Sequence, residues 1–207
     1  IQMTYETVLS LSREVTEYVT SSSRSKSVGI AIYCTQKRTP EVEENYLHSM
    51  ASLCNHVISQ GYDVKFFPME LKGTPPDDRP YIQRIIERVE HPEKCYVYDA
   101  DMETADHLRA VGQCQVFVGH KTHSTIFALA TGTPLLAIAY HSKTIEFMHQ
   151  FGMEQYALDD KVMTPDKLVS MFDELAENLD EVGSAALATS KKYAETISAQ
   201  MKDLLML

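Results

Sequence analysis

Short apolar runs alternate with amphipathic segments along most of this chain, and this alternation constrains the fold more than any other feature. The runs are four to six residues long and rich in β-branched or aromatic residues, as buried strands are. They lie at 28–33, 64–68, 95–98, 116–119 and 134–139, and a minor strand is predicted at 156–158. Helical spacing of apolar residues predicts helices over 41–60, 79–90, 103–111, 122–130, 144–151 and 165–179.

Strands that are apolar on both faces and separated by helices form a parallel sheet with helices on each side. The sequence therefore predicts an α/β fold: a Rossmann-like three-layer domain over 27–180 with a mainly parallel sheet. Residues 1–26 are predicted to form an N-terminal helix, over 4–20, and a polar linker, and residues 181–207 a C-terminal helix over 184–206. A chain of 207 residues, 44% of them apolar, suits one such core.

Charge and composition exclude several functional classes. The formal net charge of −10 argues against a nucleic-acid partner, which needs a basic face to displace counterions. No apolar stretch approaches the roughly 20 residues that span a bilayer, and the first residues lack the pattern of a signal peptide. The four cysteines contain no Cys-x-x-Cys pair, so we expect reduced, buried thiols in a cytoplasmic protein.

The most informative polar cluster lies between the fourth predicted strand and the helix after it. Residues 119–124 read Gly-His-Lys-Thr-His-Ser, beyond the carboxyl end of a strand, where parallel sheets bind ligands. Thr122 or Ser124 is expected to cap the helix, whose first N–H groups carry partial positive charge. With Lys121 beside them these groups suit a phosphate or a carboxylate, although a capped turn without function fits the same spacing.

Two histidines flank this lysine. His123 is the best candidate for acid–base catalysis, because imidazole changes its charge near neutral pH. His120 is expected to contribute to substrate binding. The spacing His120-x-x-His123 also resembles a metal pair, but no third ligand follows at a suitable distance, so no metal site is predicted.

Polar residues also follow the first and third predicted strands. Lys37 and Arg38 come after the first strand and are expected either to reach a bound phosphate across the crevice or to remain solvated. Asp99 and Asp101 end the third strand and are expected to cap a helix, with sugar binding or base catalysis as the alternative.

The end of the fifth predicted strand carries a further polar group. Tyr140 and Lys143 lie there with His141 between them, and we expect all three to face the same crevice. Lys143 is expected to hold a second anionic group, and a solvated lysine at a helix start is the alternative.

Several of these pieces occur in an order that resembles the polysaccharide pyruvyl transferase family. That family shows a Gly-x-Arg-x-His-Ser turn, an alanine-rich helix closed by Gly-x-Pro, a strand ending in Tyr-x-x-Lys and a Leu-Gly pair. The corresponding pieces here are, in that order, 119–124, 128–134, 140–143 and 151–152, with further agreement at 28–33, 61–64, 67–69 and 77–78. The resemblance covers residues 27–178.

This resemblance implies a domain like the C-terminal, donor-binding half of a two-domain GT-B enzyme. It implies phosphoenolpyruvate as the donor, with no cofactor, and transfer of its pyruvyl group to a sugar of a cell-surface or extracellular polysaccharide. Lys121 stands at the family's arginine position and His123 at its histidine. The resemblance implies that Lys121 holds the donor anion and that His123 either protonates the donor or orients it. Lysine offers a point charge where arginine binds bidentately, so this departure leaves open a changed donor geometry or a different donor.

The resemblance also implies partners for this chain. An N-terminal half of the same enzyme is expected to bring the sugar or glycan acceptor, and the first residue, Ile1, favours a piece of a longer protein. The expected location is the cytoplasm, with contact to the inner membrane through a lipid-linked acceptor left open. The oligomeric state is not predicted.

Two other functions fit the same residues. A GT-B glycosyltransferase domain would use the turn at 119–124 to hold the diphosphate of a nucleotide-sugar. A non-catalytic α/β interaction module would bind neither donor. Titration with phosphoenolpyruvate and with nucleotide-sugars separates the three hypotheses.

Overall fold

One parallel sheet organises the domain. The computed structural model describes residues 24–35, 37–70, 77–98 and 103–205, with side chains as far as residue 200. Neighbouring strands are all parallel, in the order β3-β2-β1-β4-β5-β6. The strands are β1 (Ser25–Ala31), β2 (Asp63–Phe66), β3 (Cys95–Val97), β4 (Cys114–Gly119), β5 (Leu135–Ala139) and β6 (Ala157–Asp159).

Helices cover both faces of this sheet. Helix α1 packs against α2 and α6, whereas α4 packs against α3, α5 and α7, which makes two helical layers. The Rossmann-like three-layer prediction is therefore confirmed. The helices are α1 (Pro40–Ser59), α2 (Asp78–Ile86), α3 (Thr104–Gly112), α4 (Thr122–Ala130), α5 (Ser142–Gln150), α6 (Pro165–Ala176) and α7 (Leu179–Leu205). Short 3₁₀ turns lie at Pro92–Lys94, Glu154–Tyr156 and Asp160–Val162.

Strands β1 and β4 pack most closely at the centre of the sheet. Gly29 lies opposite Phe117 in the ladder. A Cβ atom at Gly29 would sit 2.5 Å from Cδ2 of that ring, so no larger residue fits without movement. The glycine in the first strand is therefore required by packing rather than by a turn.

Local sequence signals explain most helix boundaries. Thr39 and Thr164 accept hydrogen bonds from amides in the first turns of α1 and α6. Gly61 follows α1 with a φ of 83°, a left-handed conformation that glycine adopts without strain, as predicted.

Helices α2 and α6 end at Ile86 and Ala176 rather than at residues 90 and 179. Two elements also start well before their predicted positions. Strand β1 begins at Ser25 rather than at residue 28, because the Ser25 amide already bonds the Gln113 carbonyl at 2.9 Å. Helix α7 begins at Leu179 rather than at residue 184, because Gly183 lies inside the helix. A Cβ there would be 3.0 Å from the Gly132 carbonyl oxygen, so this helix glycine permits close packing.

The burial of the cysteines and the apolarity of the helices test two further expectations. Cys34, Cys54 and Cys114 are buried free thiols, as expected, whereas Cys95 is a half-buried free thiol in the edge strand. In the part of the chain that the structure describes, no helix is long and apolar enough to cross a membrane. The predicted helix over 4–20 and the pair Asp99 and Asp101 lie outside the described residues.

Candidate functional site

The candidate site lies where the strand order reverses, at the carboxyl ends of β1 and β4. Connections leave these two neighbouring strands in opposite directions, which opens a crevice between them. The register pairs Ala31 with Gly119, and the His120 amide donates to the Ala31 carbonyl at 3.0 Å. His120 and the segment after Ala31 therefore start side by side at the floor of this crevice.

A buried histidine forms that floor. The His120 side chain is fully buried, and its Nδ1 lies 3.1 Å from the Tyr46 hydroxyl. Burial raises the pKa of Tyr46, so the phenol keeps its proton, and we assign it as the donor to Nδ1. The ring proton is then on Nε2. Burial also lowers the pKa of His120 to about 4, so the imidazole is neutral at physiological pH.

Arg38 folds back against the same floor. Its Nη1 donates to the Tyr33 carbonyl at 2.7 Å, and its guanidinium lies 4.0 Å from the centre of the Tyr46 ring. With 6% of its side chain exposed, Arg38 belongs to the crevice, whereas Lys37 is exposed. The two basic residues that the sequence groups together therefore occupy different environments.

The end of β5 contributes an aromatic wall. Tyr140 stacks on Tyr33 with ring centres 4.2 Å apart and lies 6.0 Å from the His120 ring. The structure thus brings Tyr140 to the crevice, as expected. His141 instead caps α5, since its Nδ1 accepts from the Lys143 amide at 3.1 Å. Lys143 is exposed, with its Nζ 5.8 Å from the centre of the Phe147 ring.

Lys121 is engaged by two carboxylates. Its Nζ lies 2.9 and 3.0 Å from the two oxygens of Asp78 and 3.2 Å from Oε2 of Glu70. The sequence predicts that this ammonium holds a donor anion. In the structure it pairs with Glu70, which follows β2, and with Asp78, the first residue of α2, and its role toward a donor stays a prediction. Asp78 also accepts from the amides of Met69 and Glu70, at 2.9 and 3.0 Å.

The first turn of α4 differs from the prediction in its cap. Lys121 is the N-cap residue, without a side-chain capping bond, so the expectation that Thr122 or Ser124 caps the helix is wrong. Both lie inside the helix, and the Ser124 hydroxyl donates back to the Lys121 carbonyl at 2.7 Å. The first N–H groups of a helix have no partner within it, and the buried Thr122 hydroxyl has none among the described residues. As far as the described residues show, this turn offers the Thr122 hydroxyl and first-turn amides that no side chain caps.

The two histidines of the motif face different surroundings. His123 is exposed on the first turn of α4, whereas His120 is buried directly after the end of β4. Among residues whose placement the structure describes, no group of three potential ligands is arranged to hold a metal ion. The exposed imidazole is free to meet a substrate from the solvent side.

Besides Asp78 and Glu70, the partners of Lys121, sequence reasoning missed three residues around His120. Asp160 follows β6 and approaches both Arg38 and His120, and the rule that polar residues after strands face the crevice would have found it. Tyr33 follows β1 by the same rule. Tyr46 gives no such signal, because its place in the apolar stripe of α1 predicts a core residue only.

Comparisons with known proteins identify the family. The model of the polysaccharide pyruvyl transferase family matches residues 6–142, which is more than half of the chain. This chain belongs to the polysaccharide pyruvyl transferase family. It is also similar to the amylovoran biosynthesis protein AmsJ of Erwinia amylovora, with 22% identity over 148 residues that cover 70% of this chain and 36% of AmsJ.

Solved structures show the same fold in glycosyltransferases. An O-GlcNAc transferase variant from Thermobaculum terrenum superposes with a TM-score of 0.54 at 13% identity, covering 86% of this chain and 35% of that one. The spinosyn forosaminyltransferase SpnP gives a TM-score of 0.50 at 19% identity, covering 89% of this chain and 45% of that one. The chain therefore has the Rossmann-like fold of a GT-B domain and spans less than half the length of these relatives.

The ion pair of Lys121 predicts a large effect on stability. Lys121→Met leaves the fully buried Asp78 carboxylate without its cation, which costs about 3–5 kcal/mol of unfolding free energy. Adding Asp78→Asn should recover part of this loss. Urea denaturation of the two single variants and the double variant measures the coupling.

The exposed ion pair of Arg109 and Asp106 provides the control for the measurements on Lys121 and Asp78. Arg109→Met should cost at most about 1 kcal/mol, as exposed ion pairs do. Equal losses for Lys121→Met and Arg109→Met would contradict the assignment of Lys121 as a buried anchor.

The neutral state of His120 predicts a pH dependence of stability. Between its folded pKa of about 4 and the unfolded value near 6.5, the unfolded chain binds a proton that the folded chain does not. Stability therefore falls as the pH drops through this window. From about pH 7.5 to about pH 5, the wild type should lose about 2 kcal/mol more than His120→Gln.

Urea denaturation at both pH values measures this difference. His91→Gln, which changes an exposed histidine, should keep the wild-type dependence. An equal loss of unfolding free energy in the wild type and in His120→Gln would contradict the prediction, because His120 would then contribute nothing to the pH dependence.

Proposed function

We propose that this domain binds the donor of a pyruvyl transferase and that the donor is phosphoenolpyruvate. In the complete enzyme the pyruvyl group passes to a sugar of a cell-surface or extracellular polysaccharide. One observation carries the proposal: the family match, residues 6–142, contains every strand end of the crevice from β1 to β5. The family's name supports the reaction, and the crevice supplies groups that suit its donor.

Phosphoenolpyruvate carries a carboxylate and a phosphate, and the crevice offers donors for two oxyanions. The free amides and the Thr122 hydroxyl at the start of α4 suit one of them, because a helix N-terminus stabilises negative charge. Arg38 lies on the other side of the crevice floor. Lys121 adds a further positive charge, although Asp78 and Glu70 already compensate it.

The reaction needs an acid, and His123 is the residue we assign to it. The acid protonates the methylene carbon of phosphoenolpyruvate, which leaves an oxocarbenium-like centre at the adjacent carbon. One sugar hydroxyl adds there, and a second displaces the phosphate, which gives a cyclic ketal and inorganic phosphate. The two hydroxyl protons restore the acid and accompany the phosphate.

The two histidines differ in burial, and this difference assigns them different roles in the reaction. His120 has a pKa of about 4 and holds no acidic proton to give at neutral pH. His123 is exposed on the first turn of α4, so its imidazole can reach a donor bound at the start of that helix. His120 is therefore assigned to binding and His123 to proton transfer.

The acceptor side of the reaction is assigned to the rest of the enzyme. This chain covers 36% of AmsJ and 35–45% of the two glycosyltransferase chains, and donor and acceptor of a GT-B enzyme meet between two domains. We propose that another domain of the same protein brings the sugar or glycan. We place the enzyme in the cytoplasm, with a lipid-linked acceptor as its contact with the membrane.

Calorimetric titration of the chain with phosphoenolpyruvate tests the donor assignment. Thr122→Val removes the hydroxyl and keeps the shape of the side chain. The loss of one hydrogen bond to a charged ligand should weaken binding about tenfold or more.

Thr144→Val is the matched control for this titration. Thr144 is also buried in the first turn of a helix and also has an unpartnered hydroxyl among the described residues. Its replacement should leave binding unchanged. Binding of a nucleotide-sugar such as UDP-glucose without binding of phosphoenolpyruvate would contradict the pyruvyl assignment and support a glycosyltransferase.

A further inference from the structure

Two buried nitrogen atoms on the crevice floor point at one carboxylate oxygen without reaching it. Nη2 of Arg38 lies 3.9 Å from Oδ2 of Asp160, and Nε2 of His120 lies 3.8 Å from the same oxygen. Both distances exceed those of hydrogen bonds. Neither nitrogen therefore has a hydrogen-bond partner among the described residues.

This arrangement is costly for groups so deeply placed. The exposed fractions are 6% for the Arg38 side chain and 0% for that of His120. Buried donors are nearly always hydrogen-bonded, because a donor that is left unpaired loses its bonds to water without replacing them. A carboxylate paired for stability alone would lie about 2.7–2.9 Å from such donors.

The two donors are also held rigidly. Nη1 of Arg38 is bound to the Tyr33 carbonyl, and its guanidinium lies over the Tyr46 ring. The Tyr46 hydroxyl fixes the His120 ring by donating to Nδ1, which leaves the proton of Nε2 directed at Asp160. Fixed donors that converge on one point are suited to an oxyanion.

We propose that Arg38 Nη2 and His120 Nε2 form an oxyanion cradle and that the Asp160 carboxylate is its built-in cover. A carboxylate or phosphate oxygen of the donor takes the place of Asp160 Oδ2 and approaches both nitrogens to hydrogen-bond distance. The proposal rests on the proposed function, which supplies the anionic donor. It adds Asp160 as the residue that sets the affinity of this site.

The position of Asp160 allows the exchange. It begins the 3₁₀ turn Asp160–Val162 directly after β6, and 20% of its side chain is exposed, so rotation toward solvent uncovers the cradle. A carboxylate beside a bound anion also repels it. Asp160 therefore weakens anion binding in the resting domain and keeps the two donors solvent-shielded until a ligand arrives.

Asp160→Asn tests this proposal by removing the charge while keeping the size of the side chain. Binding of inorganic phosphate, of pyruvate and of phosphoenolpyruvate to the chain is measured by calorimetry. The variant should bind phosphoenolpyruvate and one of the two fragments about tenfold more tightly, the change that 1.4 kcal/mol of removed repulsion produces. The fragment that gains identifies whether phosphate or carboxylate occupies the cradle.

Asp159→Asn is the matched control. The adjacent Asp159 is exposed and accepts from the Lys161 amide, a capping role that asparagine also fills. The Asp159→Asn variant loses the same charge, and it should bind all three probes with the affinity of the wild type. Tyr46→Phe in the Asp160→Asn background frees the His120 ring and should reverse most of the gain.

The outcomes separate this proposal from the proposed function. Equal affinities of the wild type and Asp160→Asn for every probe would overturn the cradle, even where phosphoenolpyruvate binds well. A gain shared by Asp159→Asn would also overturn it, since net charge would then explain the effect. Tighter binding of one fragment by Asp160→Asn alone, without binding of phosphoenolpyruvate, would support the cradle and contradict the pyruvyl donor.

Discussion

The parallel pairing of β1 with β4 is the contact on which the rest of this domain depends. Gly29 lets the Phe117 ring lie against the neighbouring strand, and no side chain fits in its place. The same ladder sets Ala31 beside Gly119 and so places His120 at the floor of the crevice. The chain leaves these two strands in opposite directions, so a crevice opens at their carboxyl ends. The closely packed strand pair is therefore also the pair that borders the crevice.

Compensated charge is the second property of this crevice. Lys121 is paired with Asp78 and Glu70, and Arg38 faces Asp160, so the resting domain presents little bare positive charge. In the described part of this crevice, the donors without a hydrogen-bond partner include Nη2 of Arg38, Nε2 of His120 and the Thr122 hydroxyl. The first amides of α4, which no side chain caps, add to them. Under the proposed function, the anionic donor gains charge-assisted bonds in this crevice by competing with the resident carboxylates.

The sequence predicts the sheet well and the site only in part. Buried strands and capped helices are local signals, so Gly61 ends α1 and α4 spans Thr122–Ala130 as expected. The partners of Lys121 are not local, because Asp78 is 43 positions away and only the folded sheet brings it near. Tyr46 shows the same limit: helical periodicity places it in the core, and only tertiary packing turns its hydroxyl toward His120.

The central claim is that the donor binds at the carboxyl ends of β1 and β4. Titration of the ¹⁵N-labelled chain with phosphoenolpyruvate, followed by amide chemical shifts, tests it most directly. The account predicts the largest changes at the first-turn amides Thr122 and His123 and at Tyr33 on the opposite wall. Changes confined to the groove lined by Asn55, Ser59 and His91, on another face of the domain, would contradict it.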